Sequence, residues 1–301
     1  MTYSPRRIPR TEWLEIRGLR HRILRWGPVS EDPLILLHGW ADTADTFQFL
    51  ADAFAEDWPL LALDWRGFGQ TAWAPDGYWF PDYLADLDTL LDRVCATGPA
   101  RLVGHSMGGH VAMLYAGIQP DRVRRLVSLE GFGLPPSSPE ESPERFARWL
   151  RQLKEPNPFG QFRDHGHFAH FLAGRNPRLG AERASFIARA WAAPSDSGGV
   201  VMRADPAHKR VNPYRYQRED AKACWARIKA PALLVLASES EYLGHLGEEG
   251  TGEGLATAMP GVRQQVIKGV GHMLHHEDPA RVAAVVEGFL MEDIVQSPAQ
   301  R

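Results

Sequence analysis

Hydrophobic positions along this chain follow two rhythms. Residues 13–17 and 21–26 alternate apolar and polar side chains around Gly18, the period-two pattern of an antiparallel hairpin at a sheet edge. Residues 33–37 (Pro33-Leu34-Ile35-Leu36-Leu37) form instead a continuous apolar run, and 58–63, 100–103, 123–129, 232–236 and 262–267 carry a similar signature. Strands buried on both faces of a parallel sheet read this way, because neither face meets water. Between them, 44–55, 81–96, 106–118 and 279–291 have apolar residues at helical spacing. Alternating strands and helices predict an α/β fold built on a mostly parallel, doubly wound sheet with right-handed crossovers.

The alternation stops between 135 and 221. That stretch opens with Pro135-Pro136-Ser137-Ser138-Pro139, then carries helical patterns over 143–154, 165–172 and 180–191 and no strand-like run. A structureless loop of that length is foreign to a compact domain, so the pattern predicts an inserted helical cap. The expected organisation is a core of residues 1–134 and 222–301, with a cap of 135–221 inserted after the sixth strand.

Charge narrows the partners. The 301 residues carry a formal net charge of −3, with no basic surplus for nucleic acid and no block of like charge. Arg6, Arg7 and Arg10 lie among prolines without the apolar stretch of a secretory signal, and no run approaches membrane-spanning length. A cytoplasmic protein with no membrane partner is the expectation. Cys95 and Cys224 sit in helix-like segments away from any metal-ligand spacing, as buried structural thiols would. The site is expected to hold no metal.

The chemistry centres on Gly104-His105-Ser106-Met107-Gly108-Gly109, which follows the apolar run ending at Val103 and opens a helical stretch. Glycines on both flanks allow a sharp strand-to-helix turn that lifts the Ser106 hydroxyl above the sheet, with the helix N-terminus directed at developing negative charge. A serine needs a base within reach and a third group to orient that base. His272 follows the last strand, in Gly269-Val270-Gly271-His272-Met273, and comes last in chain order as such a base does. His275 and His276 share its loop, but one loop aims a single ring at the serine. Two glutamates compete for the acidic position. Glu241, in the loop after the strand at 232–236, could stand at the entrance of a helix; Glu130 follows the sixth strand directly. An oxyanion hole needs two fixed N–H donors. One is the Met107 amide; the other is the Trp40 amide in His38-Gly39-Trp40, where Gly39 permits close approach. Asp64 and Arg66, in Asp64-Trp65-Arg66-Gly67-Phe68-Gly69, are expected to support the oxyanion loop.

Taken together, His38-Gly39-Trp40, Asp64-x-Arg66-Gly67-x-Gly69, Gly104-His105-Ser106-Met107-Gly108-Gly109 and Gly271-His272 resemble the α/β-hydrolase superfamily, in its capped serine-hydrolase, esterase-like branch. The resemblance implies an eight-stranded sheet whose second strand is antiparallel, a helical cap after the sixth strand, a Ser-His-acid triad and no cofactor. It also implies hydrolysis of esters or related acyl bonds. Ser106 separates the chain from the haloalkane dehalogenase and epoxide hydrolase branches, which carry aspartate there. Leu129-Glu130-Gly131-Phe132 nevertheless looks like dehalogenases whose acid follows the sixth strand. Ala237-Ser238-Glu239-Ser240 departs from the family's usual Gly-x-x-Asp after the seventh strand, so both Glu241 and Glu130 stay open. Trp149, Phe159, Phe162, Phe168, Phe171, Phe186 and Trp191 of the cap are expected mostly to pack it onto the sheet, with one or two facing the pocket. That favours a hydrophobic acyl or aryl ester as substrate. Competing activities on this fold are carbon–carbon bond hydrolysis, thioester cleavage, acyl transfer to an acceptor other than water, and a non-catalytic small-molecule receptor.

Overall fold

The computed structural model describes residues 3–155 and 157–296; the outermost residues of the expected core segments (1–2 and 297–301) and residue 156 of the expected cap lie outside the described residues. Along the chain run β1 (Arg10–Ile16), β2 (Leu19–Trp26), β3 (Leu34–Leu37), α1 (Gln48–Ala53), β4 (Leu60–Leu63), α2 (Phe80–Val94), β5 (Ala100–His105), α3 (Met107–Ile118) and β6 (Val123–Leu129). Then follow α4 (Ser142–Lys154), β7 (Gln161–Phe162), α5 (His165–Arg175), α6 (Ala181–Trp191), β8 (Ala192–Pro194), β9 (Val200–Met202) and α7 (Arg218–Trp225). The chain closes with β10 (Ala232–Ala237), α8 (Gly252–Ala258), β11 (Arg263–Ile267), α9 (Leu274–Glu277) and α10 (Pro279–Gln296).

Eight strands form one sheet in the order β1-β2-β4-β3-β5-β6-β10-β11. β1 and β2 pair antiparallel through a turn at Arg17 and Gly18, both at positive φ (49° and 78°). A two-residue hairpin needs that backbone twist. β2 also meets β4 antiparallel, and the remaining neighbours are parallel. Every residue of β3, β4 and β10 is buried, as their apolar runs require. β11 differs: its residues Arg263, Gln265 and Val266 are exposed, because it is the outer strand and only one side of it is covered. One core layer packs α2, α3, α7 and α8 against the sheet, including Leu87, Val111, Trp225 and Leu255. The opposite layer packs α1 and α10, through Leu50, Val282, Val286 and Leu290.

Between β6 and β10 the chain forms the helices α4, α5 and α6 that the spacing predicts, and also a three-stranded sheet in the order β7-β9-β8 that it does not. α7 straddles the expected boundary at 221 and already packs on the core through Ala221 and Trp225. The inserted segment is tied down at several points. The Arg183 guanidinium donates to the carbonyls of His276 and Glu277. His208 stacks on Phe68 with ring centroids 3.8 Å apart, and the Gly69 amide donates to Arg203 O at 2.8 Å. Among the described residues, no helix is long and apolar enough to cross a membrane.

Candidate active site

Ser106 sits at the junction of β5 and α3 with φ 50° and ψ −114°, a conformation that costs a side-chain-bearing residue roughly 1–3 kcal/mol. Close packing on both sides holds it there. A Cβ on Gly108 would lie 2.2 Å from the Leu37 carbonyl oxygen, so only glycine lets α3 approach β3 this closely. A Cβ on Gly39 would lie 3.2 Å from the Ser106 Cβ, which is how the His38-Gly39-Trp40 loop comes against the serine. The Ser106 amide is anchored on Leu129 O at 2.8 Å.

The Ser106 hydroxyl lies 2.9 Å from His272 Nε2, and His272 Nδ1 lies 3.2 Å from Glu130 Oε2. A buried carboxylate can only accept here, so Nδ1 carries the hydrogen and Nε2 is left to accept from the serine. Glu130 is wholly buried and stands at positive φ (59°) directly after β6. Its Oε1 accepts the Ala237 amide at 2.7 Å, and its Oε2 also accepts the Ser240 hydroxyl. Parallel pairing of Leu129 with Val235 sets this arrangement, because it brings the ends of β6 and β10 side by side.

Of the two glutamates, the structure brings Glu130 to His272 and leaves Glu241 exposed on the following loop, with no hydrogen bond to the ring among the described residues. The reason is the turn after β10. There Ser240, not Glu241, faces inward and donates to Glu130. Trp40 and Met107, the latter the first residue of α3, line the same cavity as Ser106.

That cavity holds about 460 Å³, with Trp40, Phe80, Met107, Phe132, Leu134 and Tyr242 among its walls. Of the seven cap aromatics, expected mostly to pack the cap onto the sheet with one or two facing the pocket, none is among the residues lining it. Phe162, Phe168 and Phe171 pack on one another, Phe186 packs on Phe49, and Phe159 reaches only the rim, against Trp40 at 6.0 Å. Asp64 accepts the Ala44 amide at 2.7 Å and so ties the loop after β4 to the one after β3. Arg66 turns away instead, to Asp86 on α2 at 2.6 Å. Cys95 is buried, whereas Cys224 is only half-buried.

Three residues that position this site, and a fourth that lines its cavity, have roles the sequence does not announce. His38 Nε2 accepts the Trp65 amide at 2.9 Å while its Nδ1 lies 2.7 Å from Gly39 O, and burial lowers its pKa, so a neutral ring shapes the loop after β3. His105 Nε2 donates to His272 O at 2.8 Å, and burial holds this imidazole well below its ordinary range. Glu277 accepts the Gly271 amide at 2.7 Å next to His272, and the same carboxylate binds Asn176 and Arg178 of the inserted segment, each at 2.7 Å. His110, one turn after Ser106, lines the cavity with neither ring nitrogen partnered among the described residues; burial pushes it down to about 3.

The family model for the alpha/beta hydrolase fold matches residues 32–279. A serine hydrolase-like protein of Danio rerio is 26% identical over 296 residues, covering 96% of this chain and 88% of its own length. A 3-hydroxybutyrate-oligomer hydrolase of Cupriavidus necator is 27% identical over 305 residues, covering 96% and 99%. Among solved structures, a thioesterase domain from the curacin biosynthetic pathway superposes with a TM-score of 0.81 at 22% identity, covering 93% of this chain and 99% of that one. At that identity the likeness concerns the fold. The strand order, the strained serine at the head of α3 and a family match spanning most of the sequence lead to one conclusion: this chain belongs to the alpha/beta hydrolase fold family.

Proposed function

We propose that the protein is a serine hydrolase that cleaves carboxylic esters of hydrophobic small molecules through an acyl-enzyme. One observation carries the reading: Ser106, His272 and Glu130 form an unbroken hydrogen-bonded relay at the floor of a largely apolar cavity. His272 Nε2 takes the Ser106 proton as Oγ attacks the acyl carbon, and the imidazolium is stabilised by Glu130, which keeps its negative charge throughout. The oxyanion is received by the Trp40 and Met107 amides. Collapse expels the alcohol, protonated by His272. Water, deprotonated by the same ring, then attacks the acyl-enzyme, frees the acid and returns the proton to Ser106. No cofactor enters any step.

The lining residues, rich in aromatic and sulfur-bearing side chains and without Lys or Arg, suit an uncharged acyl or aryl group. A hydrolase of hydroxybutyrate oligomers aligning over nearly the whole chain supports an ester as the scissile bond. The test is hydrolysis of p-nitrophenyl esters of increasing acyl length by wild type and Ser106→Ala. The expected result is turnover that depends on chain length and is abolished in the variant. Equal rates in both proteins would overturn the reading.

A further inference from the structure

Behind the catalytic loop lies a second cluster that the proposed hydrolysis does not use. Asp42, at the end of the oxyanion loop, and His275 and His276, just past His272, are all buried. Asp42 Oδ2 stands 3.7 Å from His275 Nε2 and 3.5 Å from His276 Nε2, and the three atoms lie within 4.8 Å of one another. None of these three atoms has a hydrogen-bond partner among the described residues. Asp42 Oδ1, by contrast, is saturated: it accepts the Thr43 amide, the Thr46 hydroxyl and the Trp191 indole N–H, each at 2.7 Å. The carboxylate is therefore locked in orientation, with its second oxygen aimed at two imidazole nitrogens.

Buried polar atoms are rarely left without partners, and three converging on one point form a ligand set. Two imidazoles and a carboxylate are the donors of a tetrahedral zinc-class ion, with metal–ligand bonds of about 2.0–2.1 Å and hence ligand–ligand separations of about 3.3 Å. The distances from Asp42 Oδ2 exceed that by only a few tenths of an ångström. Asp42 also lines the catalytic cavity, which offers a route in.

We propose that Asp42, His275 and His276 bind one divalent transition-metal ion of the zinc class. The ion would join three parts of the molecule that meet at Asp42: the oxyanion loop, the loop carrying His272, and α6 of the inserted segment through Trp191. It stabilises that junction and takes no part in the acyl chemistry, so the site stands or falls independently of the proposed hydrolysis.

The test uses full-length protein stripped with chelator and titrated with cobalt(II), read by its visible absorption, by metal analysis after dialysis and by thermal unfolding. One ion per chain, the intense absorption of a tetrahedral cobalt site and a raised Tm are expected. All three should be lost in Asp42→Asn and His276→Gln. His165, His167 and His170 on α5 offer an alternative, surface binding site, so their triple replacement by Gln is made in parallel and should change nothing. If neither buried variant folds, this surface variant decides. No bound cobalt in wild type, weak octahedral absorption, or an ion that survives in a folded buried variant or disappears with the surface histidines would overturn the proposal.

Discussion

Replacing Glu130 by Gln isolates what the third member of the relay does. The side chain keeps its size, but its charge is removed 3.2 Å from His272 Nδ1. At that distance, with an effective dielectric constant of about 20, a carboxylate stabilises an imidazolium by about 5 kcal/mol. In the proposed mechanism His272 becomes an imidazolium as the serine attacks, so nearly all of this is lost from the transition state and little from substrate binding. The amide also has no satisfactory orientation. With its NH₂ towards His272 it favours the tautomer protonated on Nε2, which cannot accept the serine proton. With its NH₂ towards the Ala237 amide it sets two donors against each other. About 5 kcal/mol corresponds to a loss in kcat of between 10³- and 10⁴-fold, the scale of the tautomer effect in serine proteases. The assay is p-nitrophenyl ester hydrolysis under saturating substrate, with circular dichroism and Tm recorded on each variant. Glu241→Gln, made beside it, should stay within about twofold of wild type, since an exposed charge is screened by solvent. A folded Glu130→Gln retaining a tenth of wild-type kcat, or a collapse in Glu241→Gln, would refute the reasoning.

Gly108→Ala would force its methyl to within 2.2 Å of the Leu37 carbonyl oxygen; α3 must then leave the sheet, at roughly 3 kcal/mol or more, and an unchanged denaturation midpoint would contradict the packing described. Glu277→Gln removes the charge that Arg178 Nε meets at 2.7 Å and weakens the acceptor of the Gly271 amide. A loss of roughly 1–3 kcal/mol in stability, with a fall in kcat exceeding any change in KM, is expected from denaturant titration and steady-state kinetics. Stability should also fall as pH drops below about 6.5. His110 and His208 are held by burial at about 3 in the folded protein, so below the unfolded value of about 6.5 only the unfolded chain takes up these protons. Each then contributes a decline of up to about 1.4 kcal/mol per pH unit until the pH nears 3. A thermal midpoint that stays flat from pH 7 to pH 5 would argue against neutral, buried rings at these positions.

What could be read from the chain alone was whatever is encoded locally. The buried runs of β3, β4 and β10, the hairpin turn at Gly18 and the glycines around Ser106 each announce themselves within a few residues. His272 is legible too, because chain order and a loop after the last strand single it out. The choice between Glu130 and Glu241 was not legible. Both follow strands, and what separates them is the β6–β10 register and the inward turn of Ser240, neither of which has a local signature. The β7-β9-β8 sheet was missed because strands of two or three residues are too short for a period of two to emerge. The cavity walls come from loops and helix ends scattered along the chain, so the cap aromatics, conspicuous in sequence, proved to be packing. Asp42 meets His275 and His276 only because the ends of β3 and β11 open on the same edge of the sheet.

The central claim is that Ser106 forms a covalent acyl-enzyme during ester hydrolysis. Intact-mass spectrometry of protein quenched in acid shortly after mixing with a p-nitrophenyl ester, followed by peptide mapping, tests it most directly. The account predicts a mass increase of one acyl group on the peptide containing Ser106, absent in Ser106→Ala and persisting longer in Glu130→Gln, where deacylation is slowed. Turnover with no adduct at any time, or an adduct on another residue that survives in Ser106→Ala, would contradict it.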